Sequence, residues 1–94
     1  MYYNKKGEKI DLQTYNDLFV KEDYRFIKQE TLDNGKWIST VWLGNDHSFG
    51  GDVPLIFETM VFPNKGSWGE IDMERYSTEE EAIKGHDALV KKLS

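Results

Sequence analysis

The spacing of apolar residues changes several times along the chain, and each change predicts an element. Leu12, Tyr15, Leu18 and Phe19 recur at helical spacing. Asp11 stands ahead of them as an N-cap, its carboxylate placed to accept from first-turn amides. The pattern predicts a short helix to about Val20, which at that length must dock on other structure to persist. Before it, Tyr2-Tyr3 and Lys9-Ile10 flank the turn-rich Asn4-Lys5-Lys6-Gly7-Glu8 and suit two very short strands. Tyr24 to Leu32 and Trp37 to Leu43 are rich in aromatic and β-branched residues and read as a hairpin. Between them, Asn34-Gly35 tolerates the positive φ angles of a tight turn. A two-residue loop there would set Ile27 opposite Trp42, Gln29 opposite Thr40 and Thr31 opposite Ile38. The other face would pair Phe26 with Leu43, Lys28 with Val41, Glu30 with Ser39 and Leu32 with Trp37. Both faces carry apolar groups in that register, so partial cover on both sides is expected.

A third strand is predicted from Leu55 to Phe62, bounded by Pro54 and Pro63, which cannot donate to a ladder. From Glu70 to Tyr76, Ile71 and Met73 alternate with Asp72, Glu74 and Tyr76, the pattern of an edge strand with one wet face. Ser77-Thr78-Glu79-Glu80 reads as a capping box, Ser77 bonding the Glu80 amide and Glu80 reaching back. Ala82, Ile83, His86, Leu89, Val90 and Leu93 then form one helical stripe. Glu79 to Glu81 begin that helix and Lys91 and Lys92 end it, as the helix dipole favours. The fold class is α+β. An antiparallel sheet of about four strands, a short N-terminal hairpin and helix, and a C-terminal amphipathic helix on the sheet make one domain over 1–94.

Composition narrows the functional classes. The 94 residues hold three Trp, five Tyr and five Phe, a large aromatic supply for a thin core. Cysteine is absent, which excludes disulfides and thiolate metal sites and suits a reducing compartment. The net charge of −5 comes without a basic cluster, so direct nucleic-acid binding is not expected. Neither a signal-peptide core after Met1 nor a membrane-length apolar run is legible, and a soluble, cytoplasmic protein is expected. No phosphate loop, dinucleotide fingerprint or nucleophile elbow occurs, and no cofactor is expected.

Candidate chemistry gathers in two glycine-bearing loops and at two internal positions. The first loop runs from Gly44 to Pro54 and carries Asp46, His47 and Phe49. Asp46 could orient the His47 imidazole for acid–base work, or cap a turn as Asp does in such loops. The second loop, Pro63 to Gly69, carries Trp68, which either folds onto the core or offers a stacking platform. Glu58 lies mid-strand between Ile56 and Met60. It must pair, with Lys28 or Arg75, face water, or serve as a base or anchor in a pocket. His86 lies on the apolar stripe of the last helix, as a satisfied core histidine or, with His47 and Asp46 or Glu58, as a metal ligand.

Several runs resemble a small protein family found in phage, prophage and plasmid sequences. They are Trp37-Ile38-Ser39-Thr40-Val41-Trp42-Leu43-Gly44-Asn45-Asp46-His47, Pro54-Leu55-Ile56-Phe57-Glu58-Thr59-Met60-Val61-Phe62, and Arg75-Tyr76-Ser77-Thr78-Glu79-Glu80-Glu81-Ala82 with Gly85-His86. With Met1-Tyr2-Tyr3 the likeness spans nearly the whole chain, although this chain has Asn45 where leucine is usual. The resemblance implies a mobile-element setting and draws attention to Asp46, His47, Glu58 and His86. The expected function is a non-catalytic binding protein that engages a host protein or sequesters a small metabolite, with inhibition of host defence as a natural task. Asp46, His47, Phe49, Glu58 and Trp68 are its candidate contacts. The rival is a small hydrolase or metal-assisted enzyme built on His47, Asp46 and Glu58, with His86 as a further metal ligand. A third reading is a self-associating structural protein, a homodimer through a sheet edge or an aromatic loop.

Overall fold

The computed structural model describes residues 1–46, 53–66 and 69–94. His47, Phe49 and Trp68 fall outside the described residues, so the expectations placed on them have no structural counterpart here.

Two short strands, β1 (Tyr2–Tyr3) and β2 (Lys9–Ile10), pair antiparallel as expected, and α1 (Leu12–Phe19) follows. Asp11 caps α1 by accepting from the Thr14 amide at 2.8 Å. The expected strand from Tyr24 begins instead as one helical turn, α2 (Glu22–Arg25), before β3 (Phe26–Thr31). The turn lets Tyr24 place its ring edge-on against Trp42, centroids 4.9 Å apart. Then come β4 (Trp37–Trp42), β5 (Phe57–Phe62), β6 (Asp72–Tyr76) and α3 (Glu79–Leu93). The four longer strands form an antiparallel sheet in the order β3-β4-β5-β6.

The β3–β4 register differs by one residue from the expected one. Thr31 faces Trp37, Glu30 faces Ile38, Gln29 faces Ser39 and Lys28 faces Thr40. The loop has three residues, because Leu32 N–H donates to the Lys36 carbonyl at 2.8 Å and Gly35 N–H to the Leu32 carbonyl at 2.9 Å. Gly35 supplies the left-handed conformation (φ 91°) that a three-residue loop needs at its last position. A bulge at Ile27 then shifts the start of the strand, so Phe26 faces Val41.

Register decides which side chains meet the helix. Ile38, Thr40 and Trp42 of β4 stand against Val61, Thr59 and Phe57 of β5, all on the face that α3 covers, and all six are fully buried. Ala82, His86 and Leu89 close this layer from α3. Ile83, expected in the stripe, is 38% exposed. At one end Trp42 donates from Nε1 to the Tyr3 carbonyl (3.0 Å) and meets Tyr15, which stacks on Tyr2. Gly44 is required beneath this cluster, since its φ is 78° and a Cβ would come within 2.6 Å of the Tyr15 ring. Gly85 plays the matching part in α3, where a Cβ would come within 2.2 Å of the Tyr76 hydroxyl.

The α3 cap lies one residue later than expected. Thr78 accepts from the Glu81 amide (3.1 Å), while Glu81 accepts from the Ser77 and Thr78 hydroxyls. Those bonds hold the Glu81 carboxyl below the usual carboxylate range. β5 and β6 also begin two residues later than expected. Cover of the other side is partial: Ser39 and Glu58 are buried there, whereas Phe26 and Met73 are exposed. Among the described elements, α3 contacts all four strands.

Candidate functional site

Two places in this fold could carry chemistry, and they lie on opposite faces of the sheet. On the helix-covered face, a polar string runs through the apolar layer. Thr40 interrupts Ile38 and Trp42, and Thr59 interrupts Phe57 and Val61; register sets the two threonines face to face. Their hydroxyls lie 2.5 Å apart. His86 descends from α3 with Nδ1 2.7 Å from Thr40 Oγ1 and Nε2 3.1 Å from Glu30 Oε1. The Glu30 carboxylate only accepts, which fixes the proton of neutral His86 on Nε2. Nδ1 then accepts from Thr40, and Thr40 accepts from Thr59. Every link in the string has a donor.

Burial holds the imidazole below its ordinary pKa, with Glu30 opposing. Beside it Lys28 Nζ bonds Asp87 at 2.6 Å and stands 3.6 Å from Glu30. Asp87 thereby raises the Lys28 pKa, and Lys28 lowers that of Asp87.

A hydroxyl, an imidazole and a carboxylate in sequence have the connectivity of a nucleophile, its base and an orienting acid. Access decides against that use. Thr40 and His86 are both 0% exposed, and a nucleophile must have a reacting atom within about 3 Å. Glu30, His86 and Asp87 also bring one potential ligand atom each within 4.8 Å of one another. The cation among these carboxylates is the Lys28 ammonium. The string is therefore a cross-tie between α3 and three strands.

The opposite face has the reverse character. Glu58 is 6% exposed and accepts from Arg75 Nε at 3.0 Å, one of the two pairings expected for it. Around this pair the face is apolar. Trp37 stacks on Phe62 with centroids 5.2 Å apart, and Met60 faces Met73. Phe26 is 37% exposed, Met73 38% and Ile71 55%. Both sides of β6 are partly wet: Ile71 and Met73 are exposed on one and Glu74 on the other, where Tyr76 tucks under α3 at Gly85. That burial pushes the Tyr76 phenol up to about 12. Arg25 lays its guanidinium over the Phe26 and Phe19 rings, 4.9 Å from each centroid.

Of the residues singled out from sequence, Asp46 accepts from the Leu55 amide at 3.1 Å and ties the two ends of the first loop together. Glu58 and His86 do not converge, because adjacent residues Glu58 and Thr59 point to opposite faces and His86 is on the Thr59 side. A depression of about 290 Å3 lies at the β3–β4 hairpin, lined by Thr31, Leu32, Asp33, Asn34 and Ser94. It collects neither Glu58 nor His86. Sequence reasoning missed Thr40, Thr59 and Glu30. Its available signal was a polar residue in the middle of each of two apolar alternations, which a buried face tolerates only when paired. Comparisons with protein-family models, curated proteins and solved structures find no match to this chain.

Proposed function

We propose that the chain is a non-catalytic binding protein that engages a protein partner through the open face of its sheet. The observation that carries this reading is the contrast in commitment. Among the described residues no buried side-chain nitrogen or oxygen lacks a partner, whereas Phe26, Ile71 and Met73 extend an apolar face into water. Contiguous exposed apolar surface marks interaction sites more often than scattered single residues do. Aromatic residues and Met are enriched in protein interfaces; Trp37 and Phe62 stand at one end of this face, with Met60 and Met73 nearer its middle. The Glu58–Arg75 pair is neutral as a unit and adds a hydrogen-bonding centre without an unpaired charge.

In the mobile-element setting that the sequence resemblance implies, the partner is a host protein, and blocking a host defence is a natural task. The version of the enzyme reading that joins Glu58 to His86 loses support, because Glu58 is held by Arg75 on one face and His86 is sealed beneath the other. The test is capture from host lysate by wild type and by a Phe26→Lys/Met73→Lys variant, with bound proteins identified by mass spectrometry. A partner retained by wild type and lost by the folded variant is the expected result. Capture unaffected by the substitutions, or stoichiometric metal in the purified chain, contradicts the proposal.

A further inference from the structure

The two edges of the sheet differ in how they would meet a second copy of themselves. β6 is defended. In an antiparallel self-pairing, residues sharing a face stand opposite one another. The three central registers of β6 set Glu74 on Glu74, Arg75 on Arg75, or Asp72 on Glu74. Each juxtaposes like charges, a common protection of an edge strand.

β3 is not defended in this way. Its hairpin bond from Leu32 to Lys36 fixes the alternation along the strand. Lys28 and Glu30 direct their backbone groups toward β4, and Gln29 and Thr31 direct theirs outward. Gln29 and Thr31 are exposed, and among the described residues β3 has no strand beyond it. With Gln29 paired to itself, Lys28 stands opposite Glu30 of the second copy, twice by symmetry. A shift in either direction to the next permitted register replaces these contacts with Lys28 on Lys28 or Glu30 on Glu30. The charges therefore select one register, and the bulge at Ile27 ends the ladder beside it.

We infer that the chain forms a symmetric dimer in which β3 pairs antiparallel with β3 of a second copy, the two-fold axis passing at Gln29. The sheet then runs through eight strands. Each α3 stays on its own side of the axis, and the two open faces join into one surface. Lys28 bridges the copies while its own Asp87 and Glu30 hold it in place. This inference stands apart from the partner proposed above, which uses the face rather than the edge.

The absence of cysteine makes the test direct. Residues in such a hydrogen-bonded pair have Cα atoms about 5.5 Å apart, within disulfide range. Gln29→Cys is expected to form a disulfide dimer under mild oxidation on the order of a hundredfold faster than Thr31→Cys, whose two copies lie several residues apart along the ladder. Light scattering of the wild type is expected to give twice the chain mass. Lys28→Glu should weaken the dimer at least about tenfold, and Lys28→Glu/Glu30→Lys should restore it. Should the charge variants fail to fold, Thr31→Pro removes an outward amide instead and is expected to give a folded monomer. A monomeric wild type at high concentration, or equal oxidation rates at the two cysteine positions, overturns the proposal.

Discussion

Each face of this sheet carries groups out of their usual place: polar side chains within the buried layer, and large apolar ones exposed on the other side. Beneath α3, a histidine and two threonines lie in the driest part of the molecule. On the opposite face, methionine and aromatic side chains meet water. Polarity is tolerated beneath the helix because each group has a partner there: Thr59, Thr40, His86 and Glu30 form one continuous string. Among the described residues, apolar exposure on the open face has no such internal account. A buried polar group that is fully paired explains structure, and an exposed apolar surface asks for a partner.

The contrast can be broken from the covered side first. Trp42→Ala should cost about 3–5 kcal/mol, because it empties the centre of the aromatic cluster and strips the Tyr3 carbonyl of its donor. Chemical denaturation would measure it. His86→Leu keeps the volume but leaves Thr40 and Glu30 without their shared partner, and a loss of about 3 kcal/mol is expected by the same method. Arg75→Met acts on the open face and leaves the Glu58 carboxylate enclosed without its cation. About 2 kcal/mol is expected, less than for a fully buried pair because Arg75 is partly solvated. Met73→Lys on the same face should change stability by less than about 0.5 kcal/mol while removing partner capture.

Acidification sharpens the comparison further. Burial lowers the native pKa of His86, so the unfolded chain binds its proton more readily. The His86 contribution is therefore fully present above the ordinary imidazole value of about 6.5 and is lost as pH falls through the lowered native value. Denaturation midpoints of wild type should fall across that window more steeply than those of His86→Leu. Parallel pH profiles would place the imidazole in water.

Much of this architecture is legible in the sequence. Asp11, the stripe from Ala82 to Leu93 and the prolines around the third strand predict elements that form, because caps and periodicity are local properties. The hairpin register is not, since a two-residue and a three-residue loop both place Gly35 at a positive φ. That single residue of slip moves Thr40 from opposite Gln29 to opposite Lys28. The cross-tie is missed with it, because Glu30, Thr40, Thr59 and His86 come from four elements far apart in the chain. Glu58 is better anticipated: a lone carboxylate between apolar neighbours demands a partner, and Arg75 was one of two cations within reach.

The division between the faces is tested most directly by NMR with a soluble paramagnetic agent. Signals from the Met60 and Met73 methyls and from Trp37 are predicted to broaden strongly. Those of Ile38, Val61 and the His86 ring should stay sharp, with a second copy at β3 leaving the pattern intact. Met60 and Met73 as protected as Ile38, or a broadened His86, would contradict the account.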